Sequence, residues 1–224
     1  TYTYDKLVIA TGSRAALPRD YDISLDGVFT MRTRQDADRL KSYLAPNSHV
    51  VVVGGGLLGL ELAASLRHIG MKATVVHRGS RLMNRQLDAT SSSLLHEELT
   101  DRGVEVFYND EVKYLTGKRR VNGVRLTSGQ VLECDAVVVT IGTTPNVEIA
   151  KKADLEVQRG IVVNAYLQTS DPSIFAIGEV AEFEGQLFGI TAAAEEQAEA
   201  FLRRSRRRHS VLRLAGSRER PRSR

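Results

Sequence analysis

The hydrophobic pattern of this chain switches between short unbroken apolar runs and stretches with helical spacing. The run Lys6-Leu7-Val8-Ile9-Ala10, ended by Thr11 and Gly12, predicts a strand. Residues 13–30 read as loop with one short strand near Gly27 to Phe29. A helix is predicted from Thr33, a capping residue, to about Leu44, where Pro46-Asn47 stops it. Asp36 takes its third position, where a negative charge suits the helix dipole. Val50 to Val53 is four valines in a row, the pattern of a strand buried on both faces. Leu57 to Ile69 carries an apolar face at helical spacing, closed by Gly70, and Ala73 to Val76 is a second strand. Residues 50–76 therefore read as one strand–helix–strand unit with parallel strands.

A helix from about Asp88 to Asp101 and a strand from Val104 to Tyr108 extend this pattern. Then the period falls to two. Val112 to Leu115, Arg119 to Leu126 and Gln130 to Glu133 alternate, with turns expected at Asn122-Gly123 and Ser128-Gly129. That is an antiparallel meander beside a parallel sheet, and the fold class is α/β. Val137 to Ile141 is a buried strand leading to Gly142. Beyond residue 150 come short strands at Gly160 to Val163 and Ile174 to Ile177, then an alanine- and glutamate-rich helix from Thr191 to Leu202. From residue 203 the arginines cluster and periodicity ends, so 203–224 is expected to be a disordered tail.

Charge divides the same way. The net charge is +4, yet the last 24 residues hold ten of the 31 basic residues and one of the 27 acidic ones, leaving the body at −5. The clustered arginines raise a nucleic-acid reading, but the acidic body offers no second basic surface, and a nucleic-acid partner is disfavoured. One cysteine excludes a disulfide framework, a CxxC redox pair and a cysteine-built metal site within the chain. The five histidines lack ligand spacing, so no metal is expected. No run approaches a membrane span and no signal peptide is visible, which makes the cytoplasm the default setting.

The strongest chemical signal is Gly54-Gly55-Gly56-Leu57-Leu58-Gly59. Gly54, Gly56 and Gly59 fill G-x-G-x-x-G between a strand and a helix, the arrangement that binds a dinucleotide pyrophosphate. The first glycine permits the turn, the second lets phosphate approach the backbone, and the third lets helix and strand pack. The helix start at Leu57 and Leu58 supplies N–H groups for the phosphates. An NAD site commonly carries a carboxylate at the end of the next strand, on the ribose 2′-hydroxyl. This chain has His77 there, followed by Arg78 and Arg81. Two guanidinium groups suit a 2′-phosphate, which favours NADPH over NADH. His77 is read as an adenosine-side contact rather than an acid or base. Glu61, two residues past Gly59, has two open readings: an ordinary partner for a basic group, or a residue facing the cavity where nicotinamide meets its acceptor.

Four segments together resemble the FAD-dependent pyridine nucleotide–disulfide oxidoreductases. The resemblance is nearest to the branch with the flavin module of assimilatory nitrite reductase large subunits and rubredoxin reductase. The segments are Tyr4 to Ser13, the glycine fingerprint, Asp135 to Asn146, and Thr169 to Ala181. The resemblance covers roughly residues 1–202. It implies a Rossmann-like three-layer NAD(P)H-binding domain, residues 31–149, inserted in a partial FAD-binding domain, residues 1–30 and 150–202. It also implies that Thr11, Gly12, Gly142, Gly178 and Glu179 lie at the flavin. Glu179 stands where most members have Asp. The last helix is expected to begin near the flavin pyrimidine edge.

The activity implied is hydride transfer from NAD(P)H to FAD and on to an acceptor, with the cofactors carrying the chemistry. No residue is expected to act as nucleophile or proton-transfer base, and Cys134 is read as structural. No fingerprint for the FAD adenosine diphosphate precedes Thr1, so the chain alone is expected to bind FAD weakly or not at all. The partners implied are the remainder of its own flavin domain and an electron-acceptor domain or redox partner, with a homo-oligomer left open. A flavin-free dehydrogenase explains the fingerprint but not residues 4–13 or 169–181. A non-catalytic scaffold is the remaining alternative.

Overall fold

The computed structural model describes residues 2–206. The chain begins with β1 (Leu7–Ile9), β2 (Ser13–Ala15), β3 (Val28–Thr30) and α1 (Arg34–Tyr43). Then follow β4 (His49–Val53), α2 (Leu57–His68), β5 (Lys72–His77), α3 (Ala89–Asp101) and β6 (Val104–Tyr108). Three strands, β7 (Val112–Gly117), β8 (Val121–Leu126) and β9 (Val131–Glu133), precede β10 (Ala136–Val139), β11 (Thr143–Pro145) and α4 (Glu148–Lys152). The last elements are β12 (Ile161–Val162), β13 (Ile174–Ala176), a 3-10 turn (Gly178–Val180), β14 (Ala181–Phe183), β15 (Gln186–Leu187) and α5 (Thr191–Arg206). They form two compact units, Ala15–Gly142 and residues 2–14 with 143–206.

In the unit Ala15–Gly142 the central sheet has the order β3-β10-β4-β5-β6, all parallel. β10 lies between β3 and β4, pairing Val137 with both Val28 and Val51. Strand side chains alternate faces, so the valine run of β4 feeds two cores. Val50 and Val52 join Leu40 of α1, Leu60 and Leu66 of α2, and Leu99 of α3. Val51 and Val53 join Val112, Val124, Leu126 and Leu132 of the meander β7-β8-β9. The result is three layers: helices, parallel sheet, antiparallel meander. All four valines are 7% exposed or less.

The predicted elements are found within a residue or two, with informative differences. Thr33 caps α1 reciprocally: its hydroxyl accepts from the Asp36 N–H while the Asp36 carboxylate accepts from the Thr33 N–H. The first meander turn is not at Asn122-Gly123, which lie inside β8. It falls at Lys118–Arg120, after Gly117, whose φ of 131° brings its backbone so close to the Arg120 carbonyl that a side chain would overlap it. Gly123 is glycine for another reason: a Cβ there would lie 2.7 Å from the Leu132 carbonyl on β9. The second turn is where expected, with Gly129 at φ 96°.

The other unit is built on β1, which pairs parallel with β13 from Leu7↔Ile174 to Ile9↔Ala176. β12, β14 and β15 form a small mixed sheet, and β2 pairs with β11. Its core gathers Ile9, Ala150, Ile161, Ile174, Ala176 and Val180. Buried Glu182 holds the 158–160 turn, accepting from the Arg159 N–H at 2.8 Å and the Gly160 N–H at 2.7 Å. α5 continues past Leu202 to Arg206, helped by an i,i+4 pair between Glu199 and Arg203 at 2.9 Å. Helix thus replaces the first residues of the expected tail, and 207–224 lie outside the described residues.

Candidate functional site

The glycine loop leaves β4 at Val53 and enters α2 at Leu57. Gly54 has φ 117°, a left-handed conformation, and its N–H donates to the Val76 carbonyl at 2.9 Å. A Cβ on Gly54 would lie 2.7 Å from the Thr140 carbonyl, and one on Gly59 would overlap the Gly54 carbonyl oxygen. Thr140, the residue after β10, closes this contact: its hydroxyl is 3.0 Å from the Val53 carbonyl and 3.2 Å from that of Gly54. Two of the three fingerprint glycines are therefore packed against backbone. Gly56 differs. It is the α2 N-cap with φ −91° and ψ 178°, and a Cβ there would meet nothing within 4 Å. No side chain caps this helix end, which leaves first-turn N–H groups for an anion. Leu57 and Leu58 beside it are about half exposed.

His77 ends β5 alongside this loop. Its Nδ1 accepts from the Gly55 N–H at 3.2 Å, and its Nε2 lies 3.0 Å from the Arg81 carbonyl. Burial pushes its pKa below the usual value; the Arg81 carbonyl opposes this and the Arg78 charge adds to it. Arg78 is exposed and Arg81 partly buried. Glu61 is exposed in the second turn of α2, at a shallow apolar groove lined by Leu60, Met83, Leu95 and Leu99.

The second unit brings together three of the sequence segments. Thr11 Oγ1 donates to the Asn146 carbonyl at 2.8 Å, and Asn146 Nδ2 donates to the Thr11 carbonyl at 2.9 Å. The Asn146 N–H also reaches the Gly12 carbonyl at 2.9 Å. Gly12 has φ 63° with open space where a Cβ would stand. Ser13 Oγ donates to Glu179 Oε2 at 2.8 Å. Gly178, at φ 76°, donates its N–H to Gln197 Oε1 of α5 at 2.7 Å. Gly142, in the first unit, has φ 112° and open space at its Cβ position.

Sequence reasoning did not single out Gly55, Thr140, Ser13, Asn146 or Gln197. Thr140, Ser13 and Asn146 lie inside the quoted segments, so the signal was present. Gln197 sits in an alanine–glutamate helix and carries none. Cys134 is 6% exposed in the core facing the meander; burial, with the Asp135 charge, pushes its thiol up to about 12. Among the described residues no His, Cys, Asp or Glu group is arranged to hold a metal, and no helix is long and apolar enough to cross a membrane.

Comparison with known proteins points one way. The chain is 36% identical over 200 residues to an assimilatory nitrate reductase electron transfer subunit of Bacillus subtilis, covering 89% of this chain and 26% of that protein. A crystal structure of a ferredoxin reductase from Rhodopseudomonas palustris superposes with a TM-score of 0.84 at 37% identity, over 90% of this chain and 52% of that one. A FAD-dependent pyridine nucleotide-disulphide oxidoreductase from Desulfovibrio vulgaris gives 0.80 at 30% identity, over 96% and 57%. The chain thus spans about a quarter to a little over half the length of these relatives. The family model for pyridine nucleotide-disulphide oxidoreductases matches residues 1–198. With the glycine loop and layered sheet already described, this settles the lineage: the chain belongs to the pyridine nucleotide-disulphide oxidoreductase family.

Proposed function

We propose that the unit Ala15–Gly142 binds NAD(P)H and that residues 2–14 and 143–206 form part of a FAD site. In the whole protein the two would serve a reductase that moves a hydride from NAD(P)H to FAD and electrons on to an acceptor. The observation that carries this reading is the asymmetry of the glycine fingerprint. Gly54 and Gly59 are shut against backbone, while Gly56 is open where a pyrophosphate would approach.

On this reading the α2 N-terminus, through Gly56, Leu57 and Leu58, holds the pyrophosphate by N–H groups and helix dipole. Arg78 and Arg81 take a 2′-phosphate, giving preference for NADPH. On the flavin side, Gly12 leaves its backbone open to a ligand, and Glu179, oriented by Ser13, accepts a ribityl hydroxyl. Asn146 ties its own segment to Thr11 and Gly12, so hydrogen bonds within this unit hold the backbone of residues 11 and 12. FAD, when bound, supplies the two-electron acceptor for the nicotinamide hydride. The acceptor beyond it is a redox domain or protein, in keeping with the nitrate-reductase and ferredoxin-reductase relatives. A cytoplasmic setting goes with this reading.

The test is titration of the purified chain with NADPH and NADH followed by nicotinamide fluorescence, with FAD added in a parallel series. Micromolar NADPH binding with weaker NADH binding supports the assignment. Retention of yellow colour after desalting supports a flavin site in this chain. A folded sample that binds neither nucleotide overturns the reading.

A further inference from the structure

We propose that His77 is a positioning residue of the nucleotide site, a neutral imidazole that ties the Gly55 N–H to the Arg81 carbonyl and sets the glycine loop and the arginine loop in register. The inference rests on the reading of Ala15–Gly142 as the NAD(P)H unit.

His77 stands at the strand end where a dinucleotide site commonly presents a carboxylate to the ribose. Its chemistry here is different. Both ring nitrogens are already engaged by backbone: Nδ1 by the Gly55 N–H at 3.2 Å, Nε2 by the Arg81 carbonyl at 3.0 Å. The partners fix the tautomer. An N–H must meet a lone pair on Nδ1, and a carbonyl must meet a proton on Nε2. Neither nitrogen is left for a ribose hydroxyl, so discrimination passes to the loop that His77 holds.

Local packing is built around the ring. A Cβ on Gly55 would lie 2.8 Å from the imidazole Cγ and 2.8 Å from Leu82 Cδ2, and one on Gly79 would lie 2.7 Å from Nε2. A side chain at either position would press on the ring or on Leu82, so both glycines, including Gly55, which the fingerprint leaves unspecified, make room for the imidazole. The loop is tied again by the Met83 N–H to the Gly55 carbonyl at 3.3 Å and the Asn109 N–H to the Gly79 carbonyl at 3.1 Å. Leu82 is fully buried. Residues 78–81, with both arginines, are thus held to the phosphate-binding turn by the His77 side chain, which adds to the Met83 backbone tie.

A second proton on the ring would set an N–H against the Gly55 N–H and break the tie. The charged groups around His77 are Arg78 and Arg81 on the loop and Asp110, whose N–H reaches the His77 carbonyl at 3.3 Å; Tyr108 is at the paired position on β6. The glycine loop brings no titratable side chain. Burial and Arg78 favour the neutral ring the tie needs.

The experiment has two arms on the full chain. Long-range 15N–1H correlation of the imidazoles reads the tautomer of His77 without nucleotide, with His77→Gln assigning the signal. The proton is expected on Nε2, in a neutral ring at pH 7. A proton on Nδ1, or a charged ring, overturns the proposal whatever the nucleotide does. The second arm compares NADPH dissociation constants of wild type, His77→Gln and His77→Asn from pH 5.5 to 8. Each variant is expected to weaken NADPH binding roughly fivefold at pH 7, the effect of one neutral hydrogen bond. Wild type alone is expected to lose that advantage on acidification, because titration of the 2′-phosphate is common to all three. Wild-type affinity and an unchanged pH profile in both variants overturn the positioning role. If wild type itself binds neither nucleotide, the site reading falls with the role, and the tautomer stands as a structural result.

Discussion

Replacing Gly56 and Gly59 separately by alanine dissects the glycine loop. Alanine at 59 gains about 1 kcal/mol of helix propensity. It also forces a methyl into the Gly54 carbonyl and to 2.6 Å from Thr140 Oγ1. Overpacking of this kind costs about 1–3 kcal/mol, and contact with backbone, which yields least, puts the cost at the upper end. The net loss is about 2 kcal/mol, a fall in Tm of roughly 4–8 °C for a chain of this size. Alanine at 56 meets nothing within 4 Å and keeps an allowed φ of −91°. Its weaker N-cap character and its smaller unfolded-state entropy roughly cancel, leaving stability within about 0.5 kcal/mol of wild type. Its methyl instead fills the space proposed for the pyrophosphate, so NADPH affinity is expected to fall at least about tenfold, or 1.4 kcal/mol. Thermal melts of the nucleotide-free proteins and fluorescence titrations separate the two effects. A Gly56→Ala protein that melts like wild type and also binds NADPH like wild type would refute the assignment of this loop to phosphate.

Arg78→Ala and Arg81→Ala are each expected to weaken NADPH about tenfold, the scale of a charge-assisted hydrogen bond, and to leave NADH binding within about twofold; competition titrations with the two nucleotides check this. Asp110 is the charged anchor of the β8–β9 turn: burial raises its pKa, but hydrogen bonds from Ser128, Thr127 and the Glu111 N–H outweigh that and lower it to about 2. Because the folded value lies below the unfolded one, its contribution is complete above about pH 4 and is lost as pH falls toward 2. Asp110→Asn should therefore cost about 1 kcal/mol at pH 7 and only a small part of that at pH 2, which urea melts at the two pH values measure. Cys134, with its thiol pushed up to about 12 inside the core, should resist a disulfide reagent in the native protein and react fully in denaturant.

The parts of the fold legible in the sequence are those with an unbroken period. The valine run, the glycine turn and the apolar helix face located β4, α2 and β5 because burial on both faces leaves only apolar residues. β2, β11, α4 and β15 span two to five residues and leave no periodic trace. The misplaced hairpin turn has a clear cause: Asn122-Gly123 has turn chemistry, but Gly123 is glycine to clear the Leu132 carbonyl across the meander, and Asn122 instead accepts from Thr116 Oγ1 at 2.7 Å. At the candidate site, residue identities were legible and partnerships were not. The pairing of Ser13 with Glu179 depends on β1 finding β13, and the engagement of His77 involves backbone groups that every residue carries.

The position of β10 between β3 and β4 bears on how the chain is made. Val50 must wait for Ala136 before that side of β4 is paired. At synthesis rates of roughly 5–20 residues per second, the valine edge stands open for on the order of several seconds after it leaves the ribosome. During that interval α2 and β5 shield one face and one edge of β4, while the other edge offers unpaired backbone groups flanked by apolar side chains. A pause in translation ahead of residue 136 would prolong the interval in which this edge is open to pairing with another chain.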